Sequence, residues 1–174
     1  NEWNVSTGSQ WSISSTTGLQ GVPPFSSINP ESEYSLFHRY GDGGSTSVIT
    51  SPDITIPADG LVRFYAAFNP IWIYNGNLIL YIVENAEGAK PQPIWNALLV
   101  SQEAATDDSK WTQYSVDLGE YVGKEVYFAF SYALNDGDNV LIDDFEVVAP
   151  ESGSSVEVAA GSEVHFNDLS TGSP

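Results

Sequence analysis

Short runs of alternating apolar and polar residues, separated by clusters of glycine, proline, asparagine and aspartate, extend along most of the chain. Alternation with a period of two is typical of a β-strand that buries one face, and helical periodicity is almost absent. Eight or nine short strands at this spacing predict an all-β sandwich of two antiparallel sheets. The predicted strands span residues 34–40, 46–50, 61–68, 77–83, 111–118, 125–132 and 140–148, with short pieces near Trp3 and Trp11.

Three of the predicted strands carry large apolar residues at every second position, which indicates the face that each strand turns toward the core. Pro57, Asp59 and Gly60 predict a turn before strand 61–68, and residues 95–104 form the one candidate helix. The residues expected to point inward are Val62, Phe64, Ala66, Phe68, Tyr114, Val116, Leu118, Val126, Phe128, Phe130 and Tyr132.

The charge of the chain restricts its partners. Of its 174 residues, 23 are acidic and 5 are lysine or arginine, which gives a formal net charge of -18. Such a field repels phosphate backbones and anionic lipids, so nucleic acid and membrane surfaces are poor partners. Hydrophobic residues make up 41% of the chain, too many for a disordered acidic tail. With no cysteine, a disulfide scaffold, a zinc ribbon and a thiol nucleophile are excluded as well.

The composition of the chain also indicates a boundary between two modules. Residues 149–155, APESGSS, have the composition of a linker, which predicts a domain over residues 1–149 and a linker over 150–155. Residues 156–174 alternate again but are too few to enclose a core, so they are interpreted as the start of a second module. The chain begins at Asn1 and contains no methionine, and we expect a leader or anchor segment to have been removed.

Several motifs resemble a known family. The stretch WTQYSVDLGEYVGKEVYFAF from Trp111, the later VLIDDFEVV and the upstream VITSPDITIPADGLVRFYAAF are similar to segments of the cleaved-adhesin family, found in gingipain-type proteases and haemagglutinins of bacterial surfaces. The resemblance implies a jelly-roll fold and a secreted or cell-surface bacterial protein. The segment GSEVHFNDLSTGSP resembles the opening of a PKD-like, immunoglobulin-type domain. The family's Asp-x-Asp-x-Asp run after the first strand is absent here.

Asp143 suggests a calcium site. It has the parity of Leu141, Phe145 and Val147 in the last strand, which predicts an inward carboxylate. A buried charge needs a cation, a metal or hydrogen bonds, and calcium takes six to eight oxygen ligands. The alternative is hydrogen bonding to backbone amides or to Arg63. The resemblance assigns a calcium-binding role to Asp143 or Asp144, and the other candidate ligands are Glu2 or Asn4 and Asp42.

Two further segments have two interpretations each. NDGDN at 135–139 could be a second calcium loop, but the glutamate that completes such a loop is missing, so a tight turn is favoured. In NPIWIYNG at 69–76, Trp72 and Tyr74 are candidates to stack on sugar rings, and Trp95 could join them. Packing in the core is the alternative for all three aromatic residues.

The sequence contains few of the residues and motifs that are typical of an enzyme active site. There are two histidines, His38 and His165, and the common hydrolase and phosphate-loop motifs are absent. We therefore predict a non-catalytic extracellular binding or adhesion module, monomeric as an isolated domain, that recognises a glycan or a host protein. The alternatives are a structural spacer of a secreted hydrolase and, since that chemistry requires only two carboxylates, a glycoside hydrolase.

Overall fold

The computed structural model describes residues 3–6, 8–15, 34–41, 46–69, 73, 76–101 and 111–149. The second predicted module and the linker lie outside these ranges. Within them, no helix is long and apolar enough to cross a membrane. The elements are β1 (Asn4–Val5), β2 (Trp11–Ser15), β3 (Tyr34–His38), β4 (Thr46–Thr50), β5 (Ile54–Thr55), β6 (Leu61–Phe68), β7 (Gly76–Glu84), β8 (Gln92–Asn96), α1 (Ala97–Ser101), β9 (Thr112–Asp117), a 3-10 turn (Gly119–Tyr121), β10 (Glu125–Leu134) and β11 (Val140–Val148).

The strands form two antiparallel sheets. The first sheet has the order β1-β4-β10-β7-β8, with β5 also paired to β10, and the second has the order β2-β3-β11-β6-β9. The last two described strands, β10 and β11, lie in the interior of the two sheets. The predicted all-β sandwich is confirmed.

The core lies between the sheets and is rich in aromatic side chains. Phe64 and Phe130, from opposite sheets, meet edge to face with ring centroids 5.4 Å apart. Phe145 of β11 contacts Phe130 at 5.8 Å and Phe128 at 5.2 Å. The inward positions predicted for 61–68, 111–118 and 125–132 all lie in this core or pack against it, so the predicted faces of these strands are confirmed.

A bulge interrupts β11 at its acidic pair. Ile142 lies in the core, and Asp143 is paired with Tyr65, which faces away from the core because its neighbours in β6 face inward. The register then shifts between residues 143 and 146, and Phe145 packs against the core again. Asp144 has a φ of 47°. The prediction that Asp143 shares the inward face of Phe145 is wrong, because the extra residue of the bulge reverses the alternation.

Of the segment predicted to be helical, residues 95–96 end a strand and residues 97–101 form a single helical turn, while residues 102–104 lie outside the described ranges. β8 pairs with β7 at the edge of the first sheet, with Pro93 opposite Tyr81 and Trp95 opposite Leu80, and α1 follows at Ala97–Ser101. An edge strand tolerates proline because one side of its backbone has no strand to bond. Because of Pro91 and Pro93, this strand was not predicted from the sequence.

Two of the connections between strands contain turn-forming residues. Gly60 N–H donates to Pro57 O at 3.1 Å, so the turn predicted before β6 is confirmed. Residues 135–139 connect β10 of the first sheet to β11 of the second. They form a link between sheets rather than a hairpin, and Asp136 adopts a φ of 64° there.

Candidate functional site

The residues predicted to bind ligand or metal are distributed unevenly over the structure. Trp72, Tyr74, Glu2 and Asp42 lie outside the described residues, so their roles stay predictions. Trp95 is described and is 8% exposed. Its ring contacts Tyr114 at 4.8 Å and Phe64 at 5.2 Å. The core-packing alternative therefore describes the position of Trp95.

The loop at 135–139 uses its polar groups to hold its own shape. Asp138 Oδ1 accepts the Asn139 N–H at 2.7 Å, and Asn139 Oδ1 accepts the Tyr40 N–H at 2.8 Å. The Tyr132 hydroxyl donates to Asp138 O at 3.0 Å. These hydrogen bonds hold a connection between the two sheets, and a calcium loop at this position stays a prediction.

Asp143 and Asp144 lie side by side at the bulge of β11. Asp143 Oδ1 accepts the Asp144 N–H at 2.7 Å. Within the described ranges, no three histidine or acidic side chains are grouped so that they could hold a metal ion. Two carboxylates are too few for the six to eight oxygens that calcium takes. The calcium site therefore stays a prediction that depends on Glu2, Asn4 or Asp42 for further ligands.

The outer face of the first sheet differs from the rest of this acidic protein. The core-facing residues of β4, β7 and β10 alternate with outward ones, and the outward positions across the middle of the sheet carry no charge. We call this surface the uncharged face. It consists of Thr46, Val48, Thr50, Asn77, Ile79, Tyr81, Val83, Pro93, Asn96, Tyr127, Ala129, Ser131 and Ala133.

Two tyrosines lie near the middle of the uncharged face. Tyr81 is paired with Ala129, and Tyr127 is paired with Val83 on the same two strands, so the tyrosines are diagonal neighbours roughly 7–8 Å apart at their backbones. Val83 and Ala129 are only 5% and 7% exposed although they face outward, so neighbouring side chains cover them. We call these two tyrosines, with Val83 and Ala129 beside them, the aromatic platform.

Charged residues lie at one end of this platform and on the outer face of the second sheet. Glu125, two residues before Tyr127, accepts a hydrogen bond from Asn85 Nδ2 at 3.2 Å. On the outer face of the second sheet, Arg63 Nη2 lies 2.9 Å from Glu146 Oε1. The two outer faces therefore differ in their electrostatic character.

Sequence reasoning missed this platform. The alternation of residues 77–83 and 125–132 indicates the inward faces correctly, and the same alternation leaves Tyr81 and Tyr127 on the outward faces. The available signal was that the outward residues of both strands, Glu125 apart, are uncharged in a chain with 23 acidic residues. That two tyrosines would be diagonal neighbours depends on strand register, which the sequence does not provide.

The comparisons with known proteins concern the fold. No protein-family model matches the chain, and no curated protein sequence matches it. Among solved structures, the K1 cleaved adhesin domain of Lys-gingipain from Porphyromonas gingivalis W83 has a TM-score of 0.59 at 17% identity, over 85% of this chain and 90% of that domain. The chain has the fold of a cleaved adhesin domain.

Two more structures share this fold. The K2 cleaved adhesin domain of Lys-gingipain has a TM-score of 0.55 at 18% identity, over 83% of this chain and 90% of that domain. TmCBM61, solved in complex with β-1,4-galactotriose, has a TM-score of 0.51 at 14% identity, over 85% of this chain and 88% of that one. At these identities the likeness supports the jelly-roll architecture that the motifs implied.

Proposed function

We propose that this domain is a non-catalytic extracellular binding module of a bacterial protein, and that it recognises a neutral glycan on its uncharged face. The observation that carries the proposal is the position of Tyr81 and Tyr127 as diagonal neighbours on a surface without charge. The whole chain, by contrast, has a net charge of -18.

The platform suits the chemistry of a sugar ring. Pyranose rings present apolar C–H faces that pack on aromatic rings, while nearby amides and hydroxyls bond to the sugar hydroxyls. Asn77, Asn96 and Ser131 lie on the same face and could supply such bonds. The acidic field of the protein disfavours uronates and sulfated sugars, so the proposed ligand is neutral.

We expect no catalysis at this surface. Glycoside hydrolysis requires two carboxylates that flank the scissile bond. Among the described residues of the uncharged face there is no aspartate or glutamate. A glycan held across Tyr81 and Tyr127 would therefore bind without being cleaved. The fold shared with a module solved in complex with β-1,4-galactotriose is consistent with this role.

The test compares matched tyrosines on the two outer faces. Affinities for neutral oligosaccharides, β-1,4-galactotriose among them, would be measured by calorimetry beside the acidic polymer polygalacturonate. Tyr81→Ala and Tyr127→Ala should each weaken neutral-glycan binding by about tenfold, roughly 1.4 kcal/mol. Tyr65→Ala, on the outer face of the second sheet, should leave it unchanged. Binding that survives both platform substitutions would rule out this face.

A basic host protein is the second candidate ligand, because a net charge of -18 attracts cationic surfaces. Its binding would weaken steeply with salt and would not depend on Tyr81 or Tyr127. Binding to extracellular proteins, measured at low and high salt with the same variants, separates the two candidates. A folded domain that binds neither class would favour the structural spacer.

A further inference from the structure

A cavity opens in the second sheet where β3 and β11 separate. Their ladder ends with Ile142 opposite Leu36, although its continuation would set Asp143 opposite Ser35. The bulge at residues 143–146 diverts β11 at that point, and the strands no longer pair. A cavity of about 310 Å³ lies at this separation.

One part of the cavity wall is apolar and reaches solvent. Trp3, Ile13 and Tyr34 line it, and Ile13 and Tyr34 are 54% and 58% exposed. The Trp3 ring is fixed edge to face against Phe145, with centroids 5.1 Å apart. Such a wall can receive an apolar stem, and the faces of its aromatic rings attract cations.

The polar groups of the cavity favour a positively charged hydrogen-bond donor. Asp143 and Asp144 supply negative charge, and Ser35 lines the same space. Ser35 is 3% exposed, and its Oγ has no hydrogen-bond partner among the described residues. A buried hydroxyl in this position costs free energy unless a ligand or water bonds to it.

We propose that this cavity binds a primary ammonium group on an apolar stem, such as an alkylamine or the side chain of a lysine. The ammonium has three donors, which match the two carboxylates and the Ser35 hydroxyl, and the stem would lie along Trp3, Ile13 and Tyr34. A net charge of -18 would raise the local concentration of such cations. This site is separate from the glycan-binding face and does not depend on it.

The direct test is a calorimetric titration of the purified domain in calcium-free buffer. The probes are n-hexylammonium, the uncharged 1-hexanol, and Nα-acetyl-lysine methylamide, which presents a lysine side chain. We expect saturable binding of hexylammonium at least about tenfold tighter than of hexanol. Binding of the lysine derivative at similar strength would indicate a basic peptide as the source, and its failure to bind would indicate a free amine.

Three variants test the polar groups. Asp144→Asn keeps the shape of the side chain and tolerates the left-handed backbone, and it should weaken hexylammonium binding about three- to tenfold. Ser35→Ala should weaken it by about threefold, as expected for one lost hydrogen bond. Asp136→Asn is the matched control, since it also removes one charge at a positive φ but lies in another loop. It should change nothing.

Three outcomes would overturn the proposal. The first is equal affinity for hexanol and hexylammonium, and the second is unchanged affinity in Asp144→Asn and Ser35→Ala variants that melt as the parent does. The third is binding of calcium in a domain that binds neither amine, which would assign these carboxylates to the calcium site predicted from the sequence.

Discussion

His38 packs edge to face against Tyr132 in the interior of the sandwich, with ring centroids 4.9 Å apart. Trp11 lies against the imidazole at 5.0 Å. His38 Nδ1 is 2.8 Å from Arg39 O, and because a carbonyl only accepts, Nδ1 carries the proton. Burial lowers the pKa of His38 from 6.5 to about 4, against the opposing effect of that hydrogen bond.

The depressed pKa of His38 predicts a loss of stability in mild acid. The unfolded chain binds the proton near pH 6.5 and the folded chain only near 4, so the contribution is intact above pH 6.5 and is lost as the pH falls toward 4. The full effect is about 3 kcal/mol at most. The measurement is the free energy of unfolding of the parent and of His38→Asn from pH 7.5 to 4.

Because the carboxylates titrate alike in both proteins, their effect cancels in the difference between parent and variant. That difference should be constant above pH 7 and should shrink as the pH is lowered. A constant difference over the whole range would mean that His38 is protonated equally in both states.

Ser51 connects β4 and β5 along β10. Its Oγ accepts the buried Phe128 N–H at 2.8 Å and donates to Pro52 O at 2.8 Å. We expect Ser51→Ala to lower the free energy of unfolding by about 1–3 kcal/mol, because the Phe128 N–H loses its acceptor. Ser6→Ala, which removes an exposed hydroxyl bond to Val48 O, should cost less than about 0.5 kcal/mol in the same urea titration. Equal losses would contradict this account.

Trp95 and Tyr81 should respond to truncation in opposite ways. Trp95→Ala removes a core ring and should lower the free energy of unfolding by about 3–5 kcal/mol, with the glycan affinity of the folded molecules unchanged. Tyr81→Ala should weaken glycan binding with a small loss of stability. Denaturant unfolding and calorimetry on both variants measure the two effects. A Trp95→Ala variant that keeps its stability but loses glycan binding would support the prediction that Trp95 stacks on a sugar ring.

Gly60 has no room for a side chain. A Cβ there would lie 2.9 Å from Ile56 Cγ2 and 3.0 Å from Pro57 O. We expect Gly60→Ala to destabilise the domain by about 1–3 kcal/mol. At Gly41 a Cβ meets Gln10 Oε1 at 3.5 Å, an ordinary contact, so Gly41→Ala should have little effect. Thermal melts compare the two variants, and similar melting temperatures would argue against close packing at Gly60.

Much of the fold could be predicted because the alternation of apolar and polar residues with a period of two indicates directly which side chains of a strand are buried. β6, β4 and β11 have the predicted bounds. The bulge at Asp143 could not be predicted, since one inserted residue changes which face is buried without changing the residue types around it. β8 was missed because prolines indicate a loop unless the strand is known to be at an edge.

The candidate site was harder to predict, because it depends on which strands are neighbours. Aromatic residues near turns drew attention to Trp72 and Tyr74, and burial places Trp95 in the core. Tyr81 and Tyr127 are 46 positions apart in the sequence. Only the pairing of β7 with β10 makes them neighbours. Strand pairing over such sequence distances cannot be predicted from the local alternation of apolar and polar residues.

The positions of β10 and β11 also determine when the chain can fold during synthesis. Among the described strands, β4 and β7 are joined only through β10, and β3 and β6 only through β11, so four earlier strands have unpaired edges until β10 and β11 have been made. Folding must therefore wait for nearly the whole domain to emerge, and pairing over such sequence distances is slow. Until then, the open strand edges of the emerging chain need protection from aggregation.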